Sequence, residues 1–442
     1  MCSGGGTKAS RKFLTSVILS ALLAVPCTGL AADIHGPLES DKTFGEDTKV
    51  TGENGVKPSS NKITIDAGNS KLTLDNTDNG ILLSEDGRKI NIIKVKELNI
   101  SNAEYGIKQD FSSDNEVSVD GVVNISGTQW AVDSNYNITL NLNGGLNIKD
   151  NSIKAQTAGS NAAIRLQGGS TLNTPSLSIE DVSDTYGMDR VFGLELNGNS
   201  WVYAEELKIK KIQGKKDISG IYTYGAGVHC NSITISDIKQ LESDESTNYD
   251  VSGIHNLGGG IEAKDISIKQ IDGSNVKGTA ARGLYMDNYG TYVAVDNLTI
   301  DTVKGQEADA FGIWNQGQTL FNHTGDNSTE TVRISNISSN KDAYGFYADK
   351  GGSKQSNNYI KKLSITNVEG ENSYGIFNKD DSIVTVDENA VIKNLTANTL
   401  KQGVHTEDQA ETNLSGSAEI VAETALFAQG NAKIEVNSSK QG

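Results

Sequence analysis

Cysteine, proline and aromatic residues are all scarce in this chain of 442 residues, which has 3 Cys, 4 Pro and 6% aromatics. With two of the cysteines among the first 27 residues, a disulfide scaffold is excluded. Positive charge is short as well. Lys and Arg number 39 against 56 Asp and Glu, a formal charge of −17, which excludes the basic footprint of a nucleic-acid binder. The hydrophobic fraction, 36%, is low for a compact globule. Leu, Ile, Val and Phe still make up about a quarter of the chain, above the disordered regime. What abounds is glycine, 47 residues, with asparagine about as frequent. The few apolar residues must therefore be placed very regularly.

Residues 1–32 read as an export signal. Lys8, Arg11 and Lys12 form a basic start, and no acidic residue precedes Asp33. Phe13 to Val25 is an apolar run too short to span a bilayer stably, Pro26 breaks it, and Gly29-Leu30-Ala31-Ala32 supplies small residues for cleavage. Losing those three positive charges would take the formal charge from −17 to −20, and would also remove Cys2 and Cys27. Cys230 then stands alone, expected as a small buried residue. No later stretch reaches the apolar length of a transmembrane helix.

The remainder is one repeat. An L-x-I-x-x-V signature recurs at Leu177/Ile179/Val182, Leu207/Ile209/Ile212, Ile233/Ile235/Ile238, Ile266/Ile268/Ile271, Leu298/Ile300/Val303, Val332/Ile334/Ile337 and Leu363/Ile365/Val368. It alternates with a glycine, an aliphatic residue and an aromatic one, as in SGIYT at Gly220, FGIWN at Gly312 and YGFYA at Gly345. A looser third strand lies between them: WVYAEE from Trp201, TYVAVD from Thr291 and SIVTVD from Ser382. Thirteen aligned small residues, from Gly80 to Ala425, give a mean period of about 29 residues. Three short alternating runs per repeat, separated by Gly- and Asn-rich turns, are strands and not helices. Strands this short bury one face only by stacking repeat on repeat. The expected fold is all-β: a single-stranded right-handed parallel β-helix of about 13 coils, roughly 60 Å long at the spacing of parallel strands. A β-propeller needs a longer period with antiparallel hairpins, and leucine-rich repeats lack their motif here. Residues 33–60 are expected to cap the N-terminal end of a helix running over 61–442.

The aliphatic residue after each aligned glycine points inward, so the next residue must point outward. From Gly220 on, that outward row is Tyr222, His255, Tyr285, Trp314, Tyr347, Phe377 and His405. Such a stripe offers apolar ring faces with polar tips, able to bind sugar rings or a partner's side chains. The simpler role is that the rings stack on one another and stiffen that side of the rod. Asn256, Asn315 and Asn378 return to the inside, where they read as structural amides.

Catalytic signals are weak. Asp380-Asp381 is the tempting carboxylate pair near a coil motif, but a turn is the simpler role. Gly325-Asp326-Asn327-Ser328 misses the G-D-S-G context of a serine protease. Five scattered His suggest no zinc site, and Gly258-Gly259-Gly260 leads into Ile261-Glu262 in place of a calcium repeat. Neither a cofactor nor a metal is expected.

A basic-apolar leader followed by irregular repeats of L-x-I-x-x-V and Y-G-I-x-N resembles the passenger of a bacterial autotransporter, of the pertactin-like or AIDA-like β-helix group. The resemblance covers residues 61–442. It implies a monomeric, exported surface rod, often an adhesin, carried through the outer membrane by a C-terminal β-barrel. Its partner would be a host-cell surface protein or glycan. The barrel's alternating strands are missing from this sequence, whose residues 420–442 are still repeat-like, so the passenger is expected to be truncated. Alternatives are a polysaccharide-degrading β-helix enzyme and a structural spacer or surface-layer component.

Overall fold

The computed structural model describes residues 32–110, 114–152, 160–184, 190–242, 249–287, 292–321, 328–350 and 355–437. The expected signal segment, residues 1–31 of it, lies outside them. The described residues are all-β without a helix, and the strands pair in parallel into a β-solenoid of about 12 turns, in keeping with the expected stack of about 13 coils.

The stacking is seen most directly in the L-x-I-x-x-V signature. Ile179, Ile209, Ile235, Ile268, Ile300, Ile334, Ile365 and Ile392 are register partners through eight successive turns. The Leu177 and Val182 positions form parallel columns beside them. All of these isoleucines are buried in one continuous aliphatic column from Leu38 to Leu414. Strict alternation would send the third apolar residue of the signature outward. It stays inside because the residue before it is left-handed: Asp181, Lys211, Asp237, Gln270, Thr302, Asn336, Asn367 and Asn394 all have φ between 56° and 63°. This one residue turns the chain onto the next face and puts two consecutive side chains outside. Asn and Asp tolerate that conformation best, because their short polar side chains bond locally. Outside the bend, Asn394 Nδ2 donates to Asn367 Oδ1 (3.1 Å), Asn367 to Asn336 (2.9 Å), and Asn336 to Asp301 (2.6 Å).

The looser third strand proves continuous with the signature that follows it, as in Trp201–Gly214 and Tyr292–Lys304. Residues 33–60, expected as a cap, contain strands that already pair in parallel with later ones: Ala32–His35 with Thr48–Thr51, and Asn54–Val56 with Asn79–Leu83. At the other end, Ser417–Ile420, Thr424–Ala428 and Lys433–Val436 continue the ladder.

The inward asparagines do not form one unbroken ladder, since Met286 and Ala348 stand between them in register. Each ties its own corner instead. Asn256 Oδ1 accepts from the Gly259 N–H (3.0 Å), and Asn315 Oδ1 from the Gln318 N–H (3.0 Å). Their amides then reach Gln318 Oε1 (3.1 Å) and Asn358 Oδ1 (2.6 Å). Fully buried amides are tolerable only when bonded in this way.

Candidate functional site

The G-aliphatic-aromatic strand gives the solenoid its most distinctive outer face. Behind it the aliphatic residues Leu194, Ile221, Ile254, Leu284, Ile313, Phe346, Ile376 and Val404 are wholly buried. In front, the seven residues picked out by sequence lie on consecutive rungs: Tyr222, His255, Tyr285, Trp314, Tyr347, Phe377 and His405 are register partners in that order. Neighbouring ring centroids are 5.1, 4.5, 5.0, 5.5, 5.3 and 4.3 Å apart along the row.

A second row, missed at the level of sequence, runs beside the first. It is formed by the residue immediately before each aligned glycine and includes Arg282, Phe311, Tyr344 and Tyr374. The signal was present in the strings FGIWN, YGFYA and YGIFN, each with an aromatic residue before its glycine. Phe311, Tyr344 and Tyr374 stack almost parallel at 4.9 and 5.0 Å, and meet Tyr347 and Phe377 edge-on. The result is a small apolar cluster outside the main column. Along the first row, Tyr285, Tyr347 and His405 are only 8%, 9% and 7% exposed, while Tyr222, His255, Trp314 and Phe377 are half-buried. Edge-to-face and offset contacts of this kind add roughly 0.5–1.5 kcal/mol per pair beyond area burial. The faces of the rings are thus engaged, and their edges and polar tips are what this ridge presents.

Charge surrounds the ridge. The buried Arg282 guanidinium lies 4.3 Å from the Tyr285 ring centre and 4.5 Å from that of Trp314, and its Nη1 is 2.6 Å from Asp250 Oδ1. A cation over aromatic faces is favourable, and more so away from water. Asp217, Asp250, Asp309 and Asp342 flank the ring rows. Asp217 Oδ1 accepts the Asp250 N–H (3.0 Å), and Asp309 Oδ1 the Asp342 N–H (3.3 Å). Burial raises the carboxyl pKa of Asp217 and Asp309, with the neighbouring Asp250 and Asp342 charges adding to it. Asp349 goes furthest: burial pushes it up to about 7, against the pull of the Lys379 ammonium and the Trp314 indole. Burial also raises the Tyr347 and Tyr374 phenols to about 12, so these hydroxyls stay protonated at any physiological pH.

The other sequence candidates fall elsewhere. Asp380, at φ 58°, sits in a turn, and Asp381 pairs with Lys350 Nζ at 2.6 Å. Of Gly325-Asp326-Asn327-Ser328, the first three lie outside the described residues. Ser328 donates to Asp387 (2.8 Å). Cys230 points into the aliphatic column, where burial pushes its thiol up to about 12 and leaves no thiolate to react. Among the described residues no three His, Cys, Asp or Glu gather as metal ligands. Shallow polar grooves follow the left-handed bend. One of about 470 Å³ is lined by Thr302, Lys304, Asn336, Asn367, Glu369 and Asn394.

The fold defines a parallel β-solenoid carrying an external aromatic ridge. No protein-family model, curated protein or solved structure matches the chain.

Proposed function

We propose that this protein is an exported β-helical rod of the autotransporter-passenger type that adheres to host-cell proteins or glycans and catalyses no reaction. The observation that carries this reading is the aromatic ridge. The aliphatic column closes the solenoid without it, so the ridge is a second apolar deposit laid on the outside of a complete core. The part of that deposit left exposed is what remains available to a partner. The half-buried Tyr222, His255, Trp314 and Phe377 offer ring edges to a ligand, and the phenols and flanking carboxylates offer hydrogen bonds. Export is supported by the basic, then apolar, leader. A β-barrel reading frame downstream of codon 442 would support passage through an outer membrane.

Polysaccharide cleavage has less in its favour, because Asp349, the carboxyl group held near neutrality, is only 5% exposed and so is kept from substrate. The test of adhesion is binding of the purified chain to host cells. Trp314→Ala combined with Tyr285→Ala should weaken it while the β-sheet circular dichroism is kept. Unchanged binding by that variant would remove the ridge from the contact.

A further inference from the structure

A separate aromatic surface lies across the corner at residues 197–200 from the ridge. Trp201, Gly227, Gly260 and Tyr292 are consecutive rungs of one outward row, with Tyr203, His229 and Glu262 in the row beside it. The two glycines decide how the rings lie. A Cβ on Gly227 would stand 2.5 Å from Trp201 Cζ3, and one on Gly260 would stand 3.3 Å from Trp201 Cη2 and 3.1 Å from Tyr292 Oη. The indole therefore lies over the bare backbone of both rungs and is half-buried there. Tyr203, 43% exposed, extends this surface, its ring 6.0 Å from Trp201 and within 20° of the same orientation. Polar groups are fixed at the edge: Glu262 accepts the Tyr292 hydroxyl and meets His229 Nδ1 at 2.6 Å.

We propose that this surface binds a neutral saccharide. The C–H face of a sugar ring would rest on Trp201 and Tyr203, and its hydroxyls would bond to the Glu262 carboxylate and the His229 imidazole. A flat aromatic face bordered by fixed polar groups suits a ring that is apolar on its faces and polar at its rim. The formal charge of −17 selects a neutral glycan over an acidic one. On the ridge, by contrast, the ring faces are spent on one another. The inference rests on reading the rod as a binding protein and supplies that reading with a ligand class and a second site.

The test uses the full chain, titrated with neutral oligosaccharides of glucose, mannose, galactose and N-acetylglucosamine and with a sulfated polysaccharide, followed by calorimetry. At least one neutral oligomer should bind. Trp201→Ala and Tyr203→Ala should each weaken it at least about tenfold, as truncating an anchoring ring does. Glu262→Gln should weaken it less. Should Trp201→Ala lose the sheet spectrum, the exposed Tyr203→Ala decides. Failure of every neutral oligomer to bind, binding of the sulfated polymer alone, or undiminished binding by both ring variants overturns the site. Cell adhesion by a chain that binds no neutral oligomer would overturn the site and leave the rod an adhesin. Saccharide binding through Trp201 without any cell adhesion would overturn the adhesin and keep the site.

Discussion

Gly345 and Ile365 compete for the same space inside the rod: a Cβ on the glycine would stand 2.4 Å from Ile365 Cγ2. The relationship repeats along the solenoid, with Gly253 against Ile268, Gly312 against Ile334 and Gly375 against Ile392, each at 2.4 Å. Facing strands are so close that the branched methyl of the corner isoleucine fills the place a side chain would take. Gly345→Ala should therefore destabilise the protein by about 1–3 kcal/mol through overpacking. In a double-mutant cycle, Ile365→Ala should recover part of that loss, because the pair is in direct contact. Denaturant unfolding of the four proteins measures it, and strictly additive effects would refute the steric account.

Thr302 is the least suited of the residues at the left-handed bend, being β-branched with φ 63°. The next three rungs of the same bend hold Asn336, Asn367 and Asn394, which adopt the same conformation and bond along the row. Thr302→Asn should raise stability by about 1 kcal/mol, and Asn336→Thr should lower it by a similar amount. Thermal unfolding midpoints that do not separate these two variants would show that the bend carries no strain.

Stability should depend on pH in two windows of opposite sign. Asp75 is lowered to about 2 chiefly by its hydrogen bond with Lys49, 2.8 Å away. A depressed carboxylate contributes stability above its unfolded pKa, and that contribution is lost as pH falls towards 2. Asp349 is the reverse. Raised to about 7, it holds its proton in the folded state where the unfolded chain has released it. Stability is then lost as pH rises from about 4 to about 7, by an amount on the order of 4 kcal/mol for a shift of that size. Asp349→Asn should flatten the fall between pH 4 and 7 and leave the acid limb untouched. Lys49→Met should weaken the acid limb alone. Melting curves across pH 2–8 distinguish the two, and parallel profiles for Asp349→Asn and the unmodified protein would exclude Asp349 as the cause.

Much of this architecture is legible in one dimension. Leu177, Ile179 and Val182 announce an inside column because their spacing recurs about every 29 residues, and the residue after each aligned glycine declares its side by alternation alone. Tyr222 to His405 could be placed outside on the same ground. Their fate there could not, because whether an outward ring meets solvent depends on a residue one full turn away and on the row beside it. Phe311, Tyr344 and Tyr374 close over the ridge from the position before each glycine. Trp201 and Tyr292 read only as strand residues until Gly227 and Gly260 came between them in register.

The sequence alone determined which residues enter the column and how often the chain repeats, since a two-residue alternation and a fixed period leave a strand little choice. Three matters waited for the tertiary structure: the left-handed residue that turns each corner, the covering of one aromatic surface by its own rings, and the elevation of Asp349. Each depends on distances between successive turns, where side chains some 30 residues apart come to lie on adjacent rungs about 4.8 Å from one another.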